Sequence, residues 1–171
     1  HNADKIILPG VGAFDHAMRT LNESGLRDAL EESVVGSGTP VLGVCVGMQM
    51  MADDSEEGSE PGLGWIPGTV KRFSSPPDSG MQRLPLPHMG WNDIILKQED
   101  RLLLGLDKKA SFYYLHSYYF EVAQPQHAIA NGEYGRTFSS VIRSKNVYGI
   151  QCHPEKSHSN GVLVLKNFAE L

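Results

Sequence analysis

Cys45 stands between Gly43 and Gly47 in the stretch TPVLGVCVGMQMM, residues 39–51. An apolar run followed by G-x-C-x-G is the cysteine form of the sharp strand-to-helix turn that lifts a nucleophile above a sheet. Glycine suits both flanks, because a side chain there would collide with the neighbouring strand or helix. Met48 to Ala52 reads as the first turns of the helix that follows. At a helix N-terminus, the dipole and free backbone N–H groups favour thiolate over thiol. The competing reading is a buried apolar cysteine closing a core strand, since cysteine is among the most buried residue types.

The chain carries a matching base. His153 directly follows the apolar strand VYGIQC, residues 147–152, and opens the turn His153-Pro154-Glu155. Glu155 can reach back to one imidazole nitrogen and set its tautomer while the other nitrogen faces a thiol. That is the base-and-orienter logic of the hydrolytic triads, with sulfur as nucleophile. A surface histidine in a turn is the plainer alternative. No metal site is expected: His153 and His158 lack the i, i+4 spacing of a zinc helix, and Cys152 points to the opposite strand face from His153. His16 and His127 read as structural or solvated, and the role of His116 stays open.

Positioning such groups needs strands that end at one edge. Lys5–Leu8 reads as a short buried strand, and the breaker-rich Pro9-Gly10-Val11-Gly12 follows it. Glycines at that strand end let backbone amides approach a ligand, although a plain loop reads the same way. Phe14, Met18 and Leu21, then Leu26, Leu30 and Val34, repeat at helical spacing as core stripes. Strand, helix, strand, helix argues for a parallel α/β sheet, with ligands beyond the carboxyl ends of the strands. Both the PGVG turn and Cys45 belong to that edge.

Further along, residues 53–60 (DDSEEGSE) read as a solvated acidic loop, or as a rim carboxylate for a substrate ammonium. Residues 69–73 read as a strand, and residues 74–80 as a loop and the segment expected to move most. Residues 85–91 read as extended and 92–96 as a further strand. SFYYLHSYYF, residues 111–120, reads as one or two strands whose four tyrosines cannot all hide, since each buried hydroxyl needs a partner. An exposed aromatic patch there would suit a partner surface. Two strands flank residues 132–135, and Val162, Leu165 and Phe168 mark a C-terminal helix capped by Ser159 or Asn160.

The 171 residues are 40% hydrophobic, enough for one ordinary domain with its own core. A net charge of −5 without long like-charge blocks excludes a nucleic-acid footprint. No run is apolar enough to span a bilayer, and no signal peptide is evident. Two cysteines far apart in sequence make no disulfide framework, so the chain reads as reduced and cytoplasmic. His1 runs almost directly into a strand, which suggests a missing start.

PGVGAF at Pro9, GVCVGMQ at Gly43 and QCHPEKS at Gln151 together resemble the class I (triad) glutamine amidotransferases. The resemblance spans nearly the whole chain, with motifs in the same order and spacing. Valine at positions 44 and 46 replaces the family's usual isoleucine and leucine, and the family's first strand and glycine-rich loop are missing. PHMGWN, residues 87–92, and YYLHSYY, residues 113–119, are similar to the branch serving histidine biosynthesis. The resemblance implies one glutaminase domain over 1–171: an open, mostly parallel α/β sheet flanked by helices, with an antiparallel extension. It implies Cys45, His153 and Glu155 as the triad, and backbone N–H groups of Val11 and Val46 as the oxyanion hole. Gly12, Gln49, Glu57, His116, Ser117 and Tyr118 would bind glutamine, with Glu57 on the α-amino group. No cofactor is implied. Ammonia would pass to a (β/α)8-barrel cyclase subunit in a heterodimer, met by Trp91, Asn92 and Tyr113. The PGVG glycines would permit a peptide flip once the partner binds. Competing readings are another triad amidotransferase, a free cysteine hydrolase on γ-glutamyl substrates, and a non-catalytic module of the same fold.

Overall fold

The computed structural model describes residues 3–74 and 84–171. The loop reading of residues 74–80 therefore falls, after Ser74, outside the described residues.

The central strand β2 (Val41–Cys45) is buried along its whole length. An apolar run without alternation is what a strand covered on both faces requires. It pairs in parallel with β1 (Ile6–Gly10) on one side and with β11 (Val147–Ile150) on the other. The sheet continues antiparallel through β10 (Thr137–Ser144), β9 (Ala128–Glu133) and β6 (Ile95–Leu96), in the order β1-β2-β11-β10-β9-β6. The α/β class and the antiparallel extension hold. The sheet is mixed, with the parallel part confined to the three strands that carry the site. Two smaller sheets complete it: β3 (Asp54–Ser55), β4 (Gly68–Arg72) and β8 (Tyr118–Val122), and the pair β5 (His88–Asp93) with β7 (Ser111–His116).

β1 departs from the buried strand expected, because it is an edge strand among the described residues and its side chains alternate between core and surface; Ile7 is exposed. Helix α1 (Phe14–Glu23) buries Phe14 and Met18. The expected second stripe fails at Leu26, which is 63% exposed. The chain there is a five-residue α2 (Arg27–Glu31) running into a π-helical turn, 32–36, and only Val34 of the three positions is buried. A change in helical pitch within ten residues breaks the 3.6-residue register on which the stripe depended.

The elbow helix is shorter than expected. α3 spans Val46–Gln49, one turn, so the dipole behind Cys45 is slight. The C-terminal helix α4 (His158–Ala169) starts earlier than expected, with Ser157 at its N-cap. It buries Gly161, Val164 and Phe168, while Val162 faces outward. Gly161 fits because a Cβ there would lie 1.8 Å from the Pro154 carbonyl oxygen. That contact seats the HPE turn on α4.

Candidate active site

Register brings the site together. Gly10 of β1 lies opposite Cys45 of β2, and Val44 lies opposite Ile150 of β11. The PGVG turn, the elbow and the HPE turn therefore leave the sheet side by side. Elbow geometry follows from crowding: a Cβ on Gly47 would stand 1.8 Å from the Leu8 carbonyl oxygen, and one on Gly43 would stand 2.6 Å from that of Gly47. Cys45 itself adopts φ +55°, ψ −114°, a strained backbone for a residue with a side chain, worth about 1–3 kcal/mol.

A cavity of about 280 Å³ opens above the elbow. Val11, Gly12, Cys45, Val46, Gln49, Glu57, His116, Ser117, Tyr118 and His153 all line it. Every expected nucleophile, base, oxyanion and substrate residue thus meets at one small site, of a size for an amino acid and below the roughly 300–1,000 Å³ of drug-sized pockets. Glu155 stands behind His153 and does not line the cavity, as an orienting group should.

His153 Nδ1 is 2.8 Å from Glu155 Oε1. Its Nε2 is buried and has no hydrogen-bond partner among the described residues. The carboxylate fixes Nδ1 as the protonated nitrogen and leaves Nε2 free to accept a proton. Ser157 locks the turn, donating to the His153 carbonyl at 2.6 Å and accepting from the Tyr113 N–H at 2.9 Å.

Burial outweighs the helix N-terminus expected to favour the thiolate. Burial pushes the Cys45 thiol up to about 11; the Val46 N–H opposes this, and the charges of Glu155 and Glu57 add to the rise. A one-turn helix does not offset the desolvation of a buried anion. Sulfur therefore stays protonated near neutral pH until a base removes its proton.

Glu57 is held in place by structure. Its carboxylate accepts from the Phe14 N–H, at the first turn of α1, at 2.9 Å. Asp15 accepts from the Ser59 and Glu60 N–H groups, which pins the acidic loop to the same helix end. The loop is anchored, and one Glu57 oxygen remains for the cavity.

On the other wall, His116 Nδ1 lies 2.8 Å from the Tyr118 carbonyl, and His88 Nδ1 lies 2.9 Å from His116 Nε2. Asn92 Nδ2 is 3.2 Å from His88 Nε2 and donates to the Glu133 carbonyl at 2.8 Å. A carbonyl only accepts, so His116 must donate from Nδ1. His88 must then donate from Nδ1, and Asn92 supplies the last proton. The run works only with both rings neutral. Burial agrees, pushing His88 down to about 4 and His116 down to about 3.

Of the three expected partner residues, Trp91 and Tyr113 stay together and Asn92 departs from them. Trp91, half exposed, stacks on His158 at 5.1 Å and meets Tyr113 edge-on at 6.2 Å; Met89 lies exposed two positions before it on β5. Asn92 points to the other face of β5, into the histidine run. Of the four tyrosines, Tyr114 and Tyr119 are buried and Tyr113 and Tyr118 half-buried. Tyr114 bonds Ser140 at 2.5 Å, whereas the Tyr119 hydroxyl has no partner among the described residues.

Sequence reasoning missed two residues. Gln151 is fully buried between Gln49 and Cys45. Its signal was one amide just past an otherwise apolar strand, two positions before His153. His88 was visible only as part of a motif, because its partners lie on β7.

A nucleophile elbow, a histidine and a backing carboxylate at the carboxyl ends of parallel strands make the arrangement of a triad glutamine amidotransferase. Residues 1–170 match the family described as glutamine amidotransferase class-I, and the chain belongs to that family. Within it, the chain is 53% identical to the imidazole glycerol phosphate synthase subunit HisH of Bdellovibrio bacteriovorus, over 99% of this chain and 82% of that protein. It is 50% identical to the HisH subunit of Leptospira interrogans, over 98% and 81%. Among solved structures, a putative GMP synthase subunit from Thermoplasma acidophilum matches with a TM-score of 0.70 at 17% identity, over 99% of this chain and 72% of that one. A further structure, a glutamine amidotransferase, matches at 0.67 and 19%, over 97% and 79%. Those two establish the shared fold.

Proposed function

We propose that this chain is the glutaminase subunit of an imidazole glycerol phosphate synthase, one glutaminase domain that works with a cyclase subunit in the cytoplasm. The observation that carries the chemistry is the single cavity shared by Cys45 and His153, with Nδ1 tied to Glu155 and Nε2 free. Among the described residues no helix is long and apolar enough to cross a membrane.

Glutamine enters with its α-ammonium toward Glu57 and its carboxylate toward the backbone around residues 116–118. The Cys45 sulfur attacks the side-chain amide carbon as His153 Nε2 takes its proton. Because the thiol is buried and protonated at rest, attack and proton transfer are linked. The oxyanion that forms accepts from the Val46 and Val11 N–H groups. His153 returns its proton to the leaving ammonia, and the glutamyl thioester remains on Cys45. Water, activated by the same imidazole, then releases glutamate. Ammonia passes to a (β/α)8-barrel cyclase subunit, which makes imidazole glycerol phosphate and an aminoimidazole carboxamide ribotide. Gly12, at φ +84°, has the backbone freedom for a peptide flip that readies the oxyanion hole once the partner docks.

The test is glutamate release from glutamine by the chain alone, and with a cyclase subunit and its nucleotide ligand. Glutamate production raised by the complex supports the reading. No release in either case overturns it. Equal release in both overturns the gating role of the PGVG turn.

A further inference from the structure

Gln49 and Gln151 form a pair in which both Gln49 amide protons have an acceptor. The Gln49 amide nitrogen donates to the Tyr118 carbonyl at 3.1 Å and to Gln151 Oε1 at 3.1 Å. Both acceptors are oxygens, so the Gln49 amide cannot be turned the other way without facing oxygen with oxygen. Gln151 must then present its oxygen to Gln49 and its nitrogen to the other side. On that side lies the Cys45 sulfur, 3.8 Å from Gln151 Nε2. Gln151 is wholly buried, so no solvent competes for that donor. Its backbone is fixed as well, the Gln151 N–H donating to the Ser140 carbonyl at 2.8 Å.

We propose that Gln151 is a fourth functional side chain of the thiol chemistry, an amide donor to the Cys45 sulfur that favours its anionic form. The inference rests on the glutaminase reading above. The step balances simply: the proton leaves Sγ for His153 Nε2, and the sulfur electron pair forms the bond to the amide carbon. The Gln151 protons stay on nitrogen. A dipole aimed at a buried sulfur counts most when that sulfur gains charge, because solvent is excluded from it. Gln49 sets the amide's direction, so one glutamine orients the donor while its own carbonyl oxygen remains for the ligand.

The experiment uses the full chain in complex with the cyclase subunit. Gln151→Glu keeps an oxygen for Gln49 and places a second oxygen toward the sulfur. Gln151→Met keeps the volume and removes the donor. The rate of Cys45 alkylation by iodoacetamide is followed against pH, with the modified residue assigned by peptide mass. We expect the midpoint to rise by about half a pH unit or more in Gln151→Met. The rise in Gln151→Glu is larger, because a carboxylate there adds its charge to the loss of the donor. Glutaminase kcat falls about tenfold or more in both, while KM for glutamine stays within a few-fold. An unchanged midpoint in folded, complex-forming Gln151→Met would overturn the proposal and leave Gln151 a packing residue. Wild-type protein without glutaminase activity would instead overturn the function itself, and the alkylation profile separates the two.

Discussion

Burial sets the terms on which Cys45 works. A thiol pushed up to about 11 is almost entirely protonated at neutral pH, so the base carries much of the reaction. His153→Ala in the complex is expected to lower kcat for glutamine hydrolysis by ~10²-fold or more, with a smaller effect on KM, read from steady-state glutamate release. The buried pair His88 and His116 governs a different property. Both are held below the ordinary histidine value of 6.5 in the folded state. Below about pH 6.5 the unfolded chain binds protons that the folded chain refuses, so their stabilisation is present above 6.5 and lost as pH falls toward 4. Thermal melts should show Tm falling through that window, with a shallower fall in His88→Gln. At this scale, the triad was legible because Cys45 sits between glycines and Glu155 lies two positions from His153. Gln151 and His88 were not, because their meaning resides in partners about a hundred and about thirty residues away.

The elements hold these groups by crowding more than by dipoles. One turn of α3 cannot make a strong anion site, but the elbow is fixed by close backbone contacts. Gly47→Ala would drive a methyl group into the Leu8 carbonyl and is expected to cost about 3 kcal/mol, with activity lost alongside, measured by denaturant unfolding and glutaminase assay. The strands were legible where apolar runs were continuous, as in β2, or bounded by glycine, as around β9 and β10. The α2 segment was not: a five-residue helix that widens into a π turn keeps a helical composition while losing helical phase. The length of the antiparallel half was hidden for another reason. Strand direction in a sheet depends on pairing, which residue pattern alone does not state.

At the scale of the molecule, the site is built where three parallel strands end, and the histidine run leaves it toward β5. The same strand turns Met89 and Trp91 outward, with Tyr113 beside Trp91 and His158 stacked on it. Exposed aromatics packed on one another form a preorganised surface of the kind that anchors a partner. Trp91→Ala is expected to weaken the complex with the cyclase subunit roughly tenfold, about 1.4 kcal/mol, by titration, with alkylation of Cys45 in the isolated chain unchanged.

The central claim is that a sulfur and an imidazole more than a hundred residues apart act as one unit on glutamine. The direct measurement is labelling of the complex by a chloroketone analogue of glutamine, followed by peptide mass analysis. The account predicts a single adduct on Cys45, blocked by glutamine and strongly slowed in His153→Ala. An adduct on Cys152, or a Cys45 adduct that forms as fast without His153, would contradict it.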